Sequence, residues 1–303
     1  MDTGSLIEAL VFFIRTAVTL VLLFFGITFL MALLLEYISP ATIRRILMKG
    51  PRGRGNIVGA LFGSLTPLCA CGSIPVFVGL LNAGVPFGIT ISFLLASPLI
   101  NPVIVGLMAA LFGWQIAAIY AAICFVLAVL VGAAWEKLGF AQHVKNVMVV
   151  GGEEVVNKDL SFRIRIGHAL RQSWSQLCRL WPHLLGGVAI ASLVRGFMPA
   201  DWIAGVAGGQ NPFAIPVAAV IGGPLYIRGV KAIPILSSLL EKGMGLGAAM
   251  ALLVGASGTS IPSISIMSGI FKPRLLAIFV VTILLIAIVA GYIFWIYTLA
   301  YSL

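Results

Sequence analysis

From Leu275 to Leu299 the chain carries no charged residue, and between Ala9 and Leu35 it carries only Arg15. Runs of this length exceed the roughly 20 apolar residues that cross a hydrocarbon core as a helix. Composition extends the constraint to the whole chain. Of 303 residues 61% are hydrophobic and 9% charged, against about 25% charged in soluble domains. The sequence therefore predicts an all-α polytopic membrane protein. Its opening, "MDTGSLIEAL", lacks the basic n-region of a cleaved signal peptide. The first apolar run is expected to stay as a helix, with Arg15 snorkelling to the outer interface. Four cysteines in so long a chain do not make a disulfide framework.

The net charge of +10 would suit nucleic acid, but its placement argues for topology instead. Arg44, Arg45, Lys49, Arg52 and Arg54 share one loop; Lys137, Lys145, Lys158, Arg163, Arg165 and Arg171 share a second; Lys272 and Arg274 lie in a third. Basic residues gathered between apolar spans follow the positive-inside rule. The expected partners are the bilayer and a small-molecule substrate, with no nucleic acid. A homo-oligomer stays open.

The chain also repeats itself. "EYISPATI", from Glu36, aligns with "RGFMPADWI", from Arg195, pairing Pro40 with Pro199 at an offset of 159 (199 − 40). The same offset pairs Pro75 with Pro234, Gly84 with Gly243, Gly88 with Gly247, Phe112 with Phe271 and Tyr120 with Phe279. Two homologous halves follow, 1–140 and 165–303, joined by a cytoplasmic linker at 141–164. Loop 37–55 is basic and should face the cytoplasm, as should 136–172. Its counterpart 199–212, "PADWIAGVAGGQNP", has no Lys or Arg and should face outward. Equivalent loops on opposite sides mean inverted repeats, which need an odd number of crossings per half.

Three crossings fit: Ala9–Leu35, Val85–Leu111 and Trp114–Ala134 in the first half, and Leu180–Met198, Met244–Ile270 and Arg274–Leu299 in the second. Between the first two of each half lies a stretch too short-segmented to cross, Asn56–Asn82 and Phe213–Leu240, read as a re-entrant hairpin with its tip at mid-membrane. A rival count treats each hairpin as one kinked crossing, giving eight helices in parallel halves, and puts the basic loop outside. Both middle crossings are themselves interrupted. The first breaks at "ASPLINP", where Pro98 and Pro102 flank Asn101, and the second at "GASGTSIPS". Proline removes a helical donor, and unwound backbone persists at membrane depth only inside protein or along a wet cavity. Breaks at matching places in two halves point to a transport site near the midplane. Ser97, Asn101, Ser257 and Thr259 flank the two helix breaks.

The motifs "TPLCACGSIPV", "ASPLINP" and "GGPLYIRG", in that order, resemble the bacterial permease family that includes YraQ and the organoarsenical efflux permease ArsP. The resemblance covers most of the chain and is weakest in the first helix and the central loop. It implies a multi-pass transport protein of the bacterial inner membrane. Its ArsP branch exports trivalent organoarsenicals, which makes a thiol-reactive soft species one expected cargo.

The first tip, "PLCACG", sets Cys69 and Cys71 in a break between prolines. Thiolates suit soft centres, and an irregular turn lets both sulfurs reach one centre where a helix would splay them. Packing is the other reading, since free cysteine behaves as a small buried hydrophobe; Cys124 and Cys178 are expected to be packing residues. The second tip, "PLYIRG", places Tyr226 against Cys69 and Arg228 against Cys71, with Lys231 just beyond. Intramembrane cations are costly and usually functional. Arg228 would lower a thiol pKa or hold an anionic group, or else it snorkels or binds carbonyls. None of the nine acidic residues lies mid-span, so no carboxylate proton relay is evident, and His183, the histidine near a span, is expected to be structural. No cofactor or metal is called for.

The sequence thus predicts a small-solute permease working by alternating access. Carriage of a sulfur compound or thiol conjugate is the alternative within transport. A membrane thiol oxidoreductase using Cys69 and Cys71 is a third reading, weakened by the lack of a Cys-x-x-Cys pair or a haem or quinone signature.

Overall fold

The computed structural model describes residues 54–66, 70–145, 212–225 and 243–301 continuously, and scattered positions within 18–29, 166–178 and 236–240. The expected spans Ala9–Leu35 and Leu180–Met198 lie wholly or largely outside the described residues, as do the loops 37–53 and 199–211. The described chain is helical: α1 Arg54–Leu65, α2 Ala70–Asn82, α3 Phe87–Leu99, α4 Pro102–Phe112, α5 Trp114–Lys137, α6 Ala214–Leu225, α7 Leu246–Gly258, α8 Ile261–Ser268 and α9 Pro273–Tyr301. No strand occurs among the described residues. Phe87–Phe112, Trp114–Lys137, Leu246–Ser268 and Pro273–Ala300 are long and apolar enough to cross a membrane, the first and third each being a helix pair. The protein is an all-α, multi-pass membrane protein.

Helix boundaries repeat at the offset read from the sequence. Starts at 87, 102 and 114 return at 246, 261 and 273, and the end at 99 returns at 258, each 159 later (246 − 87). The turns repeat as well. Gly84 and Gly243 both have positive φ, 73° and 93°, a region open to glycine at no steric cost. Each lies in a turn closed by a hydrogen bond to the carbonyl three residues back, Leu81 or Leu240.

The two broken helices form the centre. α3 is buried along its whole length and α7 over nearly all of its own, and α3 touches α7. By contrast α5 and α9 each turn one apolar face outward, through Val126 and Leu130 on α5 and Val281, Leu285 and Ile296 on α9. Hydrocarbon offers no hydrophobic drive between helices, so close backbone approach through small residues does the packing. α1 lays Gly59 and Gly63 on α3, where a methyl at Gly63 would stand 2.7 Å from the Phe93 carbonyl oxygen. α6 repeats the contact on α7, where a methyl at Gly222 would stand 2.6 Å from the Leu252 carbonyl oxygen. Gly88 on α3 meets Gly132 on α5, and Gly247 on α7 meets Gly291 on α9. Both glycine seams recur at the same offset.

The halves also join directly. After α5 the chain makes a short 3-10 turn, Phe140–His143, and Val144 pairs antiparallel with Phe271. The Lys145 N–H donates to the Ile270 carbonyl at 2.8 Å and the Lys272 N–H to the His143 carbonyl at 3.0 Å. Trp135, Phe140, Phe271 and Phe279 pack their rings behind this strap.

Candidate functional site

Each broken helix is interrupted at the same two positions. α3 stops at Leu99 and α4 begins at Pro102; α7 stops at Gly258 and α8 begins at Ile261. Proline is tolerated in the first turn, where no intrahelical donor is needed, and the residue before it is pushed out of the helical region. Asn101 has φ −58° and ψ 131°; Ser260, two before Pro262, has φ −64° and ψ 138°. Pro98, inside α3, does not end the helix, since Ile100 still donates to the Ala96 carbonyl.

The first break is mended by side chains. Asn101 Oδ1 accepts from the Val103 N–H at 2.9 Å, capping α4. That diverts the donor which would have served the Leu99 carbonyl, and the Tyr120 hydroxyl of α5 donates to it instead at 3.0 Å. Tyr120 is fully buried. The second break is mended differently: Thr259 Oγ1 donates back to the Gly255 carbonyl at 2.7 Å, and the Ser260 and Ser263 hydroxyls pair at 2.8 Å. Phe279 occupies the place of Tyr120 and has no hydroxyl to offer. Tyr120→Phe should therefore leave the Leu99 carbonyl without its donor and cost about 1–2 kcal/mol. A drop of several degrees in the unfolding midpoint in detergent is expected, with Tyr292→Phe, half-buried on α9, as the contrast.

Four of the expected site residues flank these breaks. Ser97 and Thr259 are buried, Asn101 and Ser257 half-buried. Asn101 and Thr259 already serve the backbone. Ser97 Oγ and Ser257 Oγ are shielded and have no hydrogen-bond partner. Asn56 Oδ1 on α1 and Ser92 Oγ on α3 are likewise buried without partners. The sequence reading did not single them out, although a lone amide or hydroxyl on an apolar helix was the available signal.

The short helices α1 and α6 both end at the breaks. Gly63, near the end of α1, lies against the Ser97 amide, and Gly223, near the end of α6, lies against the Thr259 hydroxyl and carbonyl. The structure thus sets Ser97 beside the end of α1 and Thr259 beside the end of α6, with Asn101 and Ser257 only a few residues along the chain from them. Cys69, Tyr226, Arg228 and Lys231 lie outside the described residues.

Of Cys71 only the backbone is described, and it departs from expectation. α2 begins at Ala70, so Cys71 stands in the first turn of a helix rather than in an irregular turn. A first turn needs no donors from the tip, and helix can resume as soon as the proline-bound stretch has passed. Pro75 inside α2 has no N–H to return to the Cys71 carbonyl, four residues back. That carbonyl is left without its helical donor. Elsewhere Cys124 is buried in the core and Cys178 is exposed.

A protein-family profile described as "Predicted permease", ArsP_1, matches residues 5–296. The chain belongs to this permease family. Among curated proteins the chain is similar to the UPF0718 protein MJ0584 of Methanocaldococcus jannaschii, 24% identical over 97% of this chain and 98% of that protein. The UPF0718 protein YraQ of Escherichia coli K12 is 26% identical over 74% of this chain and 63% of its own length. The UPF0718 protein YcgR of Bacillus subtilis 168 is 23% identical over 84% of this chain and 85% of its own. No solved structure matches the chain. Family membership and apolar spans together make it a membrane permease.

Proposed function

We propose that this permease carries a small solute through a site formed where the two hairpin tips and the two helix breaks meet, by alternating access between inverted halves. The observation that carries this reading is the pair of interrupted helices at the centre of the bundle, each reached by the end of its own hairpin arm. Interrupted helices at matching places are where transporters bind their cargo.

Inversion is supported by the strap. Residues 143–145 pair with 270–272, so the end of α5 and the start of α9 share one face. α5 has 24 residues, about 36 Å at 1.5 Å per residue. Gly113, before α5, is thereby carried to the far face, while its repeat counterpart Lys272 stays near. The near face holds Lys137, Lys145, Lys272 and Arg274, which by the positive-inside rule makes it cytoplasmic. We assign the two halves to 1–140 and 165–303, in the bacterial inner membrane.

The cargo we infer is a soft, thiol-reactive species moved outward, a trivalent organoarsenical being one, taken by Cys69 and Cys71. Ser97, Asn101, Ser257 and Thr259 would line its path, and Tyr226, Arg228 and Lys231 would face it from the second tip. Growth of a sensitive strain expressing the protein, across a panel of trivalent arsenicals and thiol reagents, tests the class. Cys69→Ser and Cys71→Ser should each remove most protection, and the double variant little more, because a pair acting on one centre is non-additive. Full protection in the double variant would reduce both cysteines to packing.

A further inference from the structure

We propose that the mouth of α9 holds the phosphate of an anionic phospholipid. A cavity of about 430 Å³ there is lined by His143, Lys272, Pro273 and Arg274. Its cations are partly fixed in place. Lys272 Nζ donates to the Gln142 carbonyl at 3.0 Å. An ammonium has three donors, so Lys272 retains others for a ligand. His143 Nδ1 is shielded and has no hydrogen-bond partner. α9, 29 residues long, begins at Pro273, and its positive end faces the same cavity.

The geometry favours a lipid over free phosphate. Arg274 stands at the head of the outward face of α9, which continues through exposed Val281, Leu285 and Ile296 at helical spacing. A headgroup at Arg274 would therefore lay its acyl chains along that apolar stripe. The same mouth is the basic end of the molecule, and the cytoplasmic leaflet is where anionic lipid attracts such residues.

The test uses the full chain in phosphatidylcholine mixed micelles, titrated with phosphatidylglycerol and followed by thermal unfolding. The midpoint should rise and saturate with phosphatidylglycerol, whereas inorganic phosphate should leave it unchanged. Lys272→Gln with Arg274→Gln should raise the half-saturating lipid fraction roughly 30-fold, at about fivefold per cation. The midpoint in phosphatidylcholine alone reports whether the variant is folded, and Lys272→Arg with Arg274→Lys should restore binding. Equal midpoints in both lipids, an equal rise with inorganic phosphate, or an unshifted titration in the folded Gln variant would each overturn the proposal. None of these readings depends on transport, so the permease reading stands or falls separately.

Discussion

Leucine at Gly63 or at Gly222 should prevent the protein from reaching a stable, monodisperse state, and the two losses should match. Each glycine lets a short helix, α1 or α6, touch the backbone of a broken helix. A single methyl would stand 2.7 Å from the Phe93 oxygen in the first half and 2.6 Å from the Leu252 oxygen in the second. Those oxygens belong to backbone in the most buried helices and cannot turn aside. Overpacking of this kind costs about 1–3 kcal/mol, occasionally more, and here the short helix that ends at the break must move with it. Leucine at Gly106 is the control, because a methyl there meets nothing within 4 Å. Expression and size-exclusion profiles should separate Gly63→Leu and Gly222→Leu from Gly106→Leu; wild-type behaviour of either seam variant would mean that the close contact is dispensable.

That match is legible in the sequence, because prolines and glycines mark the turns that a repeat must preserve. Gly84 with Gly243 and the breaks after Leu99 and Gly258 were predicted by one offset. Less legible was how each break is mended. Tyr120 entered the sequence argument as an alignment partner of Phe279, and nothing local says that its hydroxyl serves Leu99, 21 positions away. Such a bond is set by the packing of α5 on α3, which the chain order does not encode. The same holds for Asn101, whose side chain reads as a ligand from sequence and is bound to the backbone two residues on. Cys71 differs for a local reason: a proline-flanked tip suggested irregular chain, but the helix resumes at Ala70.

Arg228→Met should nearly abolish transport if the second tip holds an anionic part of the cargo. The prediction rests on sequence, where Arg228 falls opposite Cys71 two residues before the repeat offset is restored by Val230 and Lys231. α6, just upstream, ends beside the second break, and a cation inside a membrane span is costly and usually functional. Lysine keeps the charge but loses the planar fork that grips an oxyanion in two bonds. A bidentate role therefore predicts that Arg228→Lys weakens protection strongly and Arg228→Met removes it. If the arginine only tunes the thiols, lysine serves nearly as well, and the pH at which Cys69 or Cys71 reacts with a maleimide shifts in Arg228→Met. A methionine variant that inserts, transports and reacts as wild type would leave Arg228 a structural residue.

The central claim is that the two halves lie inverted, so that their breaks converge at mid-membrane. Gln115 and Arg274 are repeat counterparts, 159 apart (274 − 115), and both are exposed. Gln115→Cys and Arg274→Cys, each made in a chain whose native cysteines are replaced, should react with a membrane-impermeant maleimide from opposite sides of sealed vesicles, Arg274→Cys from the cytoplasmic side. Labelling of both from the same side would contradict the inversion and, with it, the placement of the site.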